Sequence, residues 1–361
     1  MKLFYCRRCA NLLYFENTRC THCDTALGFC PEAMDLLAVD PAGNNEWLDA
    51  TDGHRYRLCA NYTDHHACNW LVPADEPETL CVACRLNHII PDLQNSTHFA
   101  LWCRLETEKR RLIYSLLRLG LPCEPRREGR PGLAFDFLAD QPPTFSERGR
   151  VLTGHVNGLI TLNIAEADPV ERERMRGQMA EPYRTVLGHF RHESGHYYWD
   201  QLVRHSRWLG DCRRLFGDDT RDYNQALEQH YQSGPPADWQ ARYISPYAAS
   251  HPWEDWAETW AHYLHIVDTL ETAWRFGLRV NARHDIPLEA TPTAGFDPYE
   301  STDFDALVAR WLPLTLALNS LNRSMGHDHA YPFVLAEPVV EKLRLVHSIV
   351  HQSGHMGYPT L

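Results

Sequence analysis

The sequence lacks the features that mark membrane proteins and general nucleic-acid binders. No apolar run approaches the roughly 18–20 residues that span a bilayer, and the start, residues 1–6, shows no apolar segment typical of secretory signals. Positive charge is not in excess either, because 47 acidic side chains outnumber 35 Lys and Arg and give a net charge of −12. A nucleic-acid-binding surface needs basic groups that displace counterions. We therefore expect a cytoplasmic protein that binds neither membranes nor nucleic acids.

Cysteine, in contrast, is abundant and unevenly placed. Most of the twelve cysteines lie in the first 84 residues, where three C-x-x-C pairs occur. Without an export signal, such pairs indicate metal sites rather than disulfides. Each pair can form a knuckle, and two knuckles supply four thiolates that bind zinc at about 2.3 Å. The first predicted zinc site consists of Cys6, Cys9, Cys20 and Cys23.

A second cysteine cluster follows with less regular spacing. Four thiolates leave no position for water, so both sites are expected to be structural and to fold a small module that could recognise a protein partner or a substrate. His65 or His66 is an alternative to one of the four ligands, and rubredoxin-like iron is an alternative to zinc at either site. The second predicted zinc site consists of Cys59, Cys68, Cys81 and Cys84. The cysteines expected outside metal sites are Cys30, Cys103, Cys123 and Cys212.

A different metal pattern occurs in the second half of the chain. His192 and His196 are four residues apart within a helical pattern, so one helix face can direct both imidazoles at one zinc ion. Glu193 projects to one side, where its carboxylate can accept a proton from zinc-bound water. Gly195 costs roughly 1 kcal/mol inside a helix, a cost that a need for room beside the metal would explain.

A third ligand is expected further along the chain. The metzincin spacing would place Gly and His where Trp199 and Leu202 stand, so that class is excluded. In the segment 251–262, Pro252 suits a first helical turn, and Glu254 and Glu258 fall one turn apart on one face. The first carboxylate can bind zinc, and the second can hold the N–H of a ligand histidine. His262, one further turn along this face, is a candidate for contact with substrate or with a ligand.

These motifs resemble a known group of peptidases. Glu254-x-x-Ala257-Glu258 downstream of His192-Glu193-x-x-His196 is similar to the gluzincin pattern of lethal-factor-type peptidases, in which a tyrosine seven residues before the ligand glutamate stabilises the transition state. Tyr247 stands at that position. The resemblance implies that His192, His196 and Glu254 bind zinc and that Glu193 is the general base. It also implies that Glu258 supports a ligand histidine and that Tyr247 donates to the oxyanion.

Nearly the whole chain resembles a bacterial family of zinc-binding metallopeptidases that carry an N-terminal zinc ribbon. Three strings carry this resemblance: 68–73 (CNWLVP), 251–258 (HPWEDWAE) and 322–326 (NRSMG) followed by 331–333 (YPF). The family implies an enzyme that hydrolyses a peptide or protein amide bond by Glu-assisted attack of zinc-bound water. An interaction protein with an inactive peptidase fold, or an amidase acting on a small modified metabolite, are the alternatives.

The elements suggested by the sequence favour an α+β fold. A zinc-ribbon region with two four-cysteine sites is expected over 1–93, and a mostly helical, zincin-type metallopeptidase domain with a small β-sheet over 94–361. Within the second region, helical periodicity runs over 97–121 and most of the chain after Pro169, while 133–138 and 158–164 are strand-like. We also expect the strand at 158–164 to offer a free edge to which an extended peptide could add. One catalytic and two structural zinc ions are predicted in total.

Overall fold

The computed structural model describes residues 1–140, 151, 153–179, 185–281, 289–290 and 296–354. The chain forms two compact units. The first contains Met1–Arg118 and Pro122–Arg174, and the second contains Leu119–Leu121 and Met175–Leu361. The division of the chain between residues 93 and 94 stays a prediction, because units defined by contacts are not tests of independent folding.

The first unit begins with antiparallel β-structure. Its strands are β1 (Phe4–Tyr5), β2 (Leu12–Leu13), β3 (Ala26–Cys30), β4 (Asp35–Gly43), β5 (Glu46–Asp49), β6 (Arg55–Leu58) and β7 (Leu71–Pro73). Strands β1 and β2 form a small hairpin in which Tyr5 lies opposite Leu12, and the next five strands form an antiparallel sheet in sequence order. Alternating burial is interrupted in β4, where Leu36 to Val39 are all buried, as expected for a strand covered on both faces.

Two helices and a second sheet complete this unit. Helix α1 (Ala60–Thr63) is one turn long. Helix α2 (Ser96–Arg118) matches the periodicity predicted over 97–121. An aromatic cluster joins α2 to the cysteine-rich region, because the Tyr114 ring packs against Phe15 and Phe29 with centroids 5.5 and 6.1 Å apart. The second sheet contains β8 (Asn87–Ile89), β9 (Ala134–Leu138), β10 (Gly154–Val156) and β11 (Leu159–Asn163).

The order of this second sheet corrects one expectation. Its strands lie in the order β10, β11, β9, β8, so β11 is paired on both sides, antiparallel to β10 and parallel to β9. The predicted free edge at 158–164 is therefore wrong. Asn157 and Gly158 both have positive φ angles, 50° and 82°, as a two-residue hairpin turn requires. That turn folds β10 back onto the strand that was expected to be open.

The second unit is mostly helical. The elements after β11 are α3 (Pro169–Met179), α4 (Val186–Leu202), α5 (Leu209–Phe216), α6 (Tyr223–Ser233), α7 (Pro252–Arg275), β12 (Val280–Asn281), β13 (Glu289–Ala290), α8 (Phe304–Ser324) and α9 (Glu337–Gly354). Helix α4 is buried over most of its surface, as expected for a helix at the centre of its unit, and it packs along α7. Helix α3 spans the boundary between the two units.

The strand-rich first part and helical second part confirm the α+β fold class. Pro313 lies inside α8, and the helix continues through it. Three prolines and few apolar residues predict a long loop over 286–302, of which residues 286–288 and 291–295 lie outside the described residues. Among the helices that the structure describes, none is both long and apolar enough to cross a bilayer.

Helices α4 and α7 approach each other closely at Gly195. A Cβ atom at this position would lie 2.9 Å from the Cα of Ala257 and 3.2 Å from the Cβ of Trp260. Real Cβ contacts are longer, so a side chain here would push the two helices apart. Helix packing, rather than room beside a metal, therefore explains this glycine.

Replacing Gly195 with alanine is expected to lower the free energy of unfolding by about 1–3 kcal/mol, the usual cost of overpacking a core. Alanine gains roughly 1 kcal/mol of helix propensity over glycine, but the clash is with a backbone atom at 2.9 Å, so a cost in the upper part of the range outweighs that gain. Urea denaturation measures the difference. Gly210→Ala in α5 is the matched control, because a Cβ there meets no atom within 4 Å. A Gly195→Ala protein as stable as the Gly210→Ala protein would contradict the packing explanation.

Candidate metal centres

The candidate active site lies between α4 and α7, and local capping sets where both helices begin. At the start of α4, the Thr185 hydroxyl accepts a hydrogen bond from the Gly188 backbone N–H at 2.9 Å. At the start of α7, the His251 imidazole accepts one from the Trp253 N–H at 3.1 Å, and Pro252 occupies the first helical turn. The caps fix the register of the side chains that follow.

Two indole groups then tie the helices together. The Trp256 Nε1–H donates to the Gly195 carbonyl at 2.8 Å, and the Trp260 Nε1–H donates to the Ser194 hydroxyl at 3.1 Å. All four residues are buried, so these bonds are shielded from water and satisfy polar groups that would otherwise be costly. The segment between His192 and His196 is therefore held directly against α7.

The three predicted ligands of a catalytic metal meet in this place. Nε2 of His192 lies 3.0 Å from Oε2 of Glu254, and Nε2 of His196 lies 3.5 Å from Oε1 of the same carboxylate. The ligand atoms of all three side chains lie within 4.8 Å of one another. Two ligands of a tetrahedral zinc, each bound at about 2.0–2.1 Å, lie roughly 3.3 Å apart. The residues therefore fit a single zinc ion.

The second ring nitrogen of His192, Nδ1, also has a hydrogen-bond partner. Its Nδ1 lies 2.7 Å from Oε1 of Glu258, whose other oxygen accepts a hydrogen bond from the Ser245 hydroxyl at 2.7 Å. Burial disfavours the Glu258 carboxylate, but the bonds to His192 and Ser245 outweigh it and lower the pKa of Glu258 to about 2. Glu258 is thus an anionic partner of the His192 Nδ1 atom, and Nε2 of the same ring faces Glu254.

Glu193 and Tyr247, the two predicted catalytic residues, lie beside the three predicted metal ligands. Glu193 is 9% exposed, and its Oε2 atom makes no hydrogen bond within the described residues. Burial raises the pKa of Glu193, while His192 and His196 act in the opposite direction. The Tyr247 ring lies 5.9 Å from the His192 ring, centroid to centroid. Because burial raises the pKa of Tyr247 well above its usual value, the phenol is a neutral hydrogen-bond donor.

Three further residues at the site, Tyr223, Ser245 and Lys342, belong to no recognisable sequence motif. The Tyr223 hydroxyl donates a hydrogen bond to Oε1 of Glu254 at 2.7 Å. The Ser245 hydroxyl donates to Glu258, as described above. The buried Lys342 of α9 donates to Asp255, the residue after Glu254, at 2.6 Å. Each lies far along the chain or outside any regular spacing, so only the folded structure places it at the site.

His262 bonds a tyrosine from a later segment of the chain, and its contact with a substrate stays a prediction. Its Nδ1 atom lies 2.7 Å from the hydroxyl of Tyr331, and the two rings are edge to face with centroids 5.5 Å apart. Asn319 in turn bonds both the carbonyl and the N–H of Tyr331, at 2.7 and 2.9 Å. The described contacts therefore connect His262 to the segment after α8 and show no hydrogen bond to a ligand residue.

The first cysteine cluster is formed by two turns of the same shape. The Ala10 N–H bonds the Cys6 carbonyl and the Asp24 N–H bonds the Cys20 carbonyl, at 2.8 and 2.9 Å, with positive φ at Ala10 and Asp24. Sγ atoms of opposite turns, Cys6 with Cys23 and Cys9 with Cys20, lie 3.7 and 3.5 Å apart. Zinc–sulfur bonds of about 2.3 Å in a tetrahedron place sulfurs roughly 3.8 Å apart, so the cluster fits a zinc site with four cysteine ligands.

The second cluster is more deeply buried. Cys59, Cys68, Cys81 and Cys84 place their Sγ atoms within 4.8 Å of one another, and all four residues are buried. The Sγ atoms of Cys68 and Cys81 are 3.8 Å apart, again the spacing of a zinc tetrahedron. His65 instead packs against the Trp102 ring at 5.7 Å between centroids. The four thiols, rather than a histidine, form this cluster.

A buried arginine supports a metal at the second cluster. Arg110 of α2 is 4% exposed and donates to the Ala67 carbonyl, but its Nε atom has no hydrogen-bond partner within the described residues. Burial disfavours its charge, whereas Cys68 and Glu106 raise its pKa. A zinc ion with four thiolates carries two negative charges, which would compensate this cation. The other four cysteines, Cys30, Cys103, Cys123 and Cys212, lie outside both clusters.

Two family models match the chain. The family described as "Putative zinc-binding metallo-peptidase" matches residues 98–349, and a zinc-ribbon family matches residues 3–95. The first match covers well over half of the chain and includes α4, α6 and α7. The second includes both cysteine clusters.

Relatives extend over almost the full length. Three proteins, one from Mycobacterium bovis and two from strains of Mycobacterium tuberculosis, are each 45% identical to the chain over 356 residues. The aligned region covers 98% of this chain and 96% of each relative, and all three are described as uncharacterized proteins. No solved structure matches significantly. The chain belongs to this family of zinc-binding metallopeptidases and carries the N-terminal zinc ribbon.

Proposed function

We propose that the protein hydrolyses a peptide or protein amide bond with one zinc ion held by His192, His196 and Glu254. The observation that carries this proposal is the convergence of the three ligand atoms within 4.8 Å. Glu193 lies beside them with a carboxylate oxygen that makes no hydrogen bond within the described residues. Three protein ligands leave a fourth position for water, which is the arrangement of catalytic rather than structural zinc.

The residues of the site divide the chemistry between them. Zinc in such a site lowers the pKa of water and polarises a carbonyl group. Glu193 accepts the proton of the attacking water and passes it to the leaving amine. The neutral Tyr247 phenol donates a hydrogen bond to the oxyanion that develops on the substrate carbonyl. Glu258 keeps the ligand His192 in the tautomer and orientation that the metal requires.

We further propose that the two cysteine clusters hold structural zinc ions. The Sγ–Sγ distances of 3.5–3.8 Å support this assignment, as does the match of a zinc-ribbon family to this region. We place the ribbon at 1–93 and the peptidase domain at 94–361, a division supported by family matches to 3–95 and 98–349. A cytoplasmic location, and a protein partner or substrate recognised by the ribbon, are part of the same proposal.

Metal analysis combined with cleavage assays tests the proposal. We expect three zinc ions per chain, of which brief treatment with a chelator removes one, because a site closed by four thiolates releases zinc more slowly than an open three-ligand site. Cleavage of an unbiased peptide library should stop after this treatment and return when zinc is added. Cleavage that survives removal of the third ion would contradict the mechanism. Only two ions, both held by cysteines, would favour an interaction protein, and cleavage confined to small amides would favour an amidase.

A further inference from the structure

Tyr223 belongs to no recognisable sequence motif, yet its side chain contacts Glu254. It is the first residue of α6, which begins where the Asp222 carboxylate accepts a hydrogen bond from the Gln225 N–H at 2.8 Å. The Tyr223 ring lies edge-on against the rings of His251 and Trp253, with centroids 5.3 and 5.7 Å away. These two residues flank the start of α7, so the ring is fixed against the segment that carries Glu254.

The hydroxyl of Tyr223 gives the two oxygens of the Glu254 carboxylate different surroundings. It donates to Oε1 of Glu254 at 2.7 Å. Oε2 makes no hydrogen bond within the described residues and faces Nε2 of His192 at 3.0 Å. Glu254 is 1% exposed, so water does not compete for either oxygen. Oε1, which lies 3.5 Å from Nε2 of His196, is thus already bonded to a phenol, whereas the closer oxygen Oε2 is left for the ion.

This distinction matters because a carboxylate can bind a metal with one oxygen or with two. Binding with both oxygens would give the ion a fifth ligand and crowd the position that a catalytic zinc keeps for water. We propose that Tyr223 is a positioning residue that makes Glu254 a one-oxygen ligand and so keeps the fourth position of the zinc site open. The inference rests on the proposed function, since it assigns a role at the same metal site.

A cobalt-substituted protein tests this role independently of turnover. In the full-length protein, the labile metal is removed, Co²⁺ is added, and the visible spectrum and zinc affinity are measured for wild type and Tyr223→Phe. The variant is expected to show weaker visible absorption, because five-coordinate cobalt absorbs less than four-coordinate cobalt. Its zinc affinity should fall by about 10–100-fold, as is typical when a partner of a metal ligand is lost.

Tyr231→Phe is the matched control. Tyr231 lies on the same helix and is 69% exposed, so the same chemical change there should leave both the spectrum and the affinity at wild-type values. A Tyr223→Phe protein with wild-type spectrum and affinity would overturn the inference, even if its turnover were reduced, because that result would assign Tyr223 to the substrate instead. Failure of the proposed function looks different: the wild-type protein itself would then take up no cobalt at a third site.

Discussion

Replacing Glu193 with glutamine is expected to lower kcat by about 10²–10⁴-fold, the usual contribution of a general base, while all three zinc ions are retained. Glutamine has nearly the same shape as glutamate, but its neutral amide cannot accept a proton. The three metal ligands are unchanged in this variant, so metal content should not fall. Measurement of zinc per chain alongside peptide cleavage separates the loss of the base from the loss of the metal.

The control for this substitution is Glu228→Gln, which makes the same change at an exposed position of α6. Its turnover should equal that of the wild type. Two results would be informative against the mechanism. Wild-type cleavage by the Glu193→Gln protein would show that another group takes the proton, and loss of zinc from that protein would place Glu193 among the ligands.

Replacing Cys81 with serine is expected to remove one structural zinc and to unfold the ribbon region. Apparent binding free energies of structural zinc are about 10–16 kcal/mol and contribute directly to folding, whereas whole domains are stable by only about 5–15 kcal/mol. Cys81 is 1% exposed, and its Sγ lies 3.8 Å from that of Cys68. Zinc analysis, circular dichroism and limited proteolysis of the region before residue 94 would show the change.

Cys30→Ser provides the comparison, because Cys30 is equally buried but lies outside both clusters. Its thiol donates to Glu32 at 3.1 Å, a bond that a serine hydroxyl can replace. This protein should retain three zinc ions and a folded ribbon. Should Cys81→Ser retain its metal and resist proteolysis as well as Cys30→Ser does, a four-thiolate zinc site at the second cluster would be excluded.

Short-range spacing made much of the site predictable. The i,i+4 positions of His192 and His196 lie on one face of any helix, and the same rule pairs Glu254 with Glu258. The rule does not determine how α4 and α7 approach each other. That approach depends on the contact at Gly195, which the sequence suggested was required by the metal instead. The positions of side chains within one helix could thus be predicted from the sequence, whereas the packing of α4 against α7 could not.

The unexpected features have the same physical origin. Tyr223 reaches Glu254 only because α6 begins beside α7, and no periodic pattern encodes that neighbourhood. The strand at 159–163 was expected to be open because its composition predicts a strand but not its partners. The Asn157-Gly158 turn was the available signal, since two residues with positive φ favour a tight hairpin.

The helix that carries both Glu254 and Glu258 also determines which changes in chain length the protein can accept. One residue inserted between them would rotate everything beyond it by about 100° around the helix axis, and Glu258 would leave His192. Insertions in exposed turns between α4 and α7, such as 218–221 or 234–237, do not rotate Glu258 relative to Glu254 around the helix axis. Among homologues, length variation should therefore concentrate in those turns, while the stretch from Glu254 to Glu258 keeps a constant length.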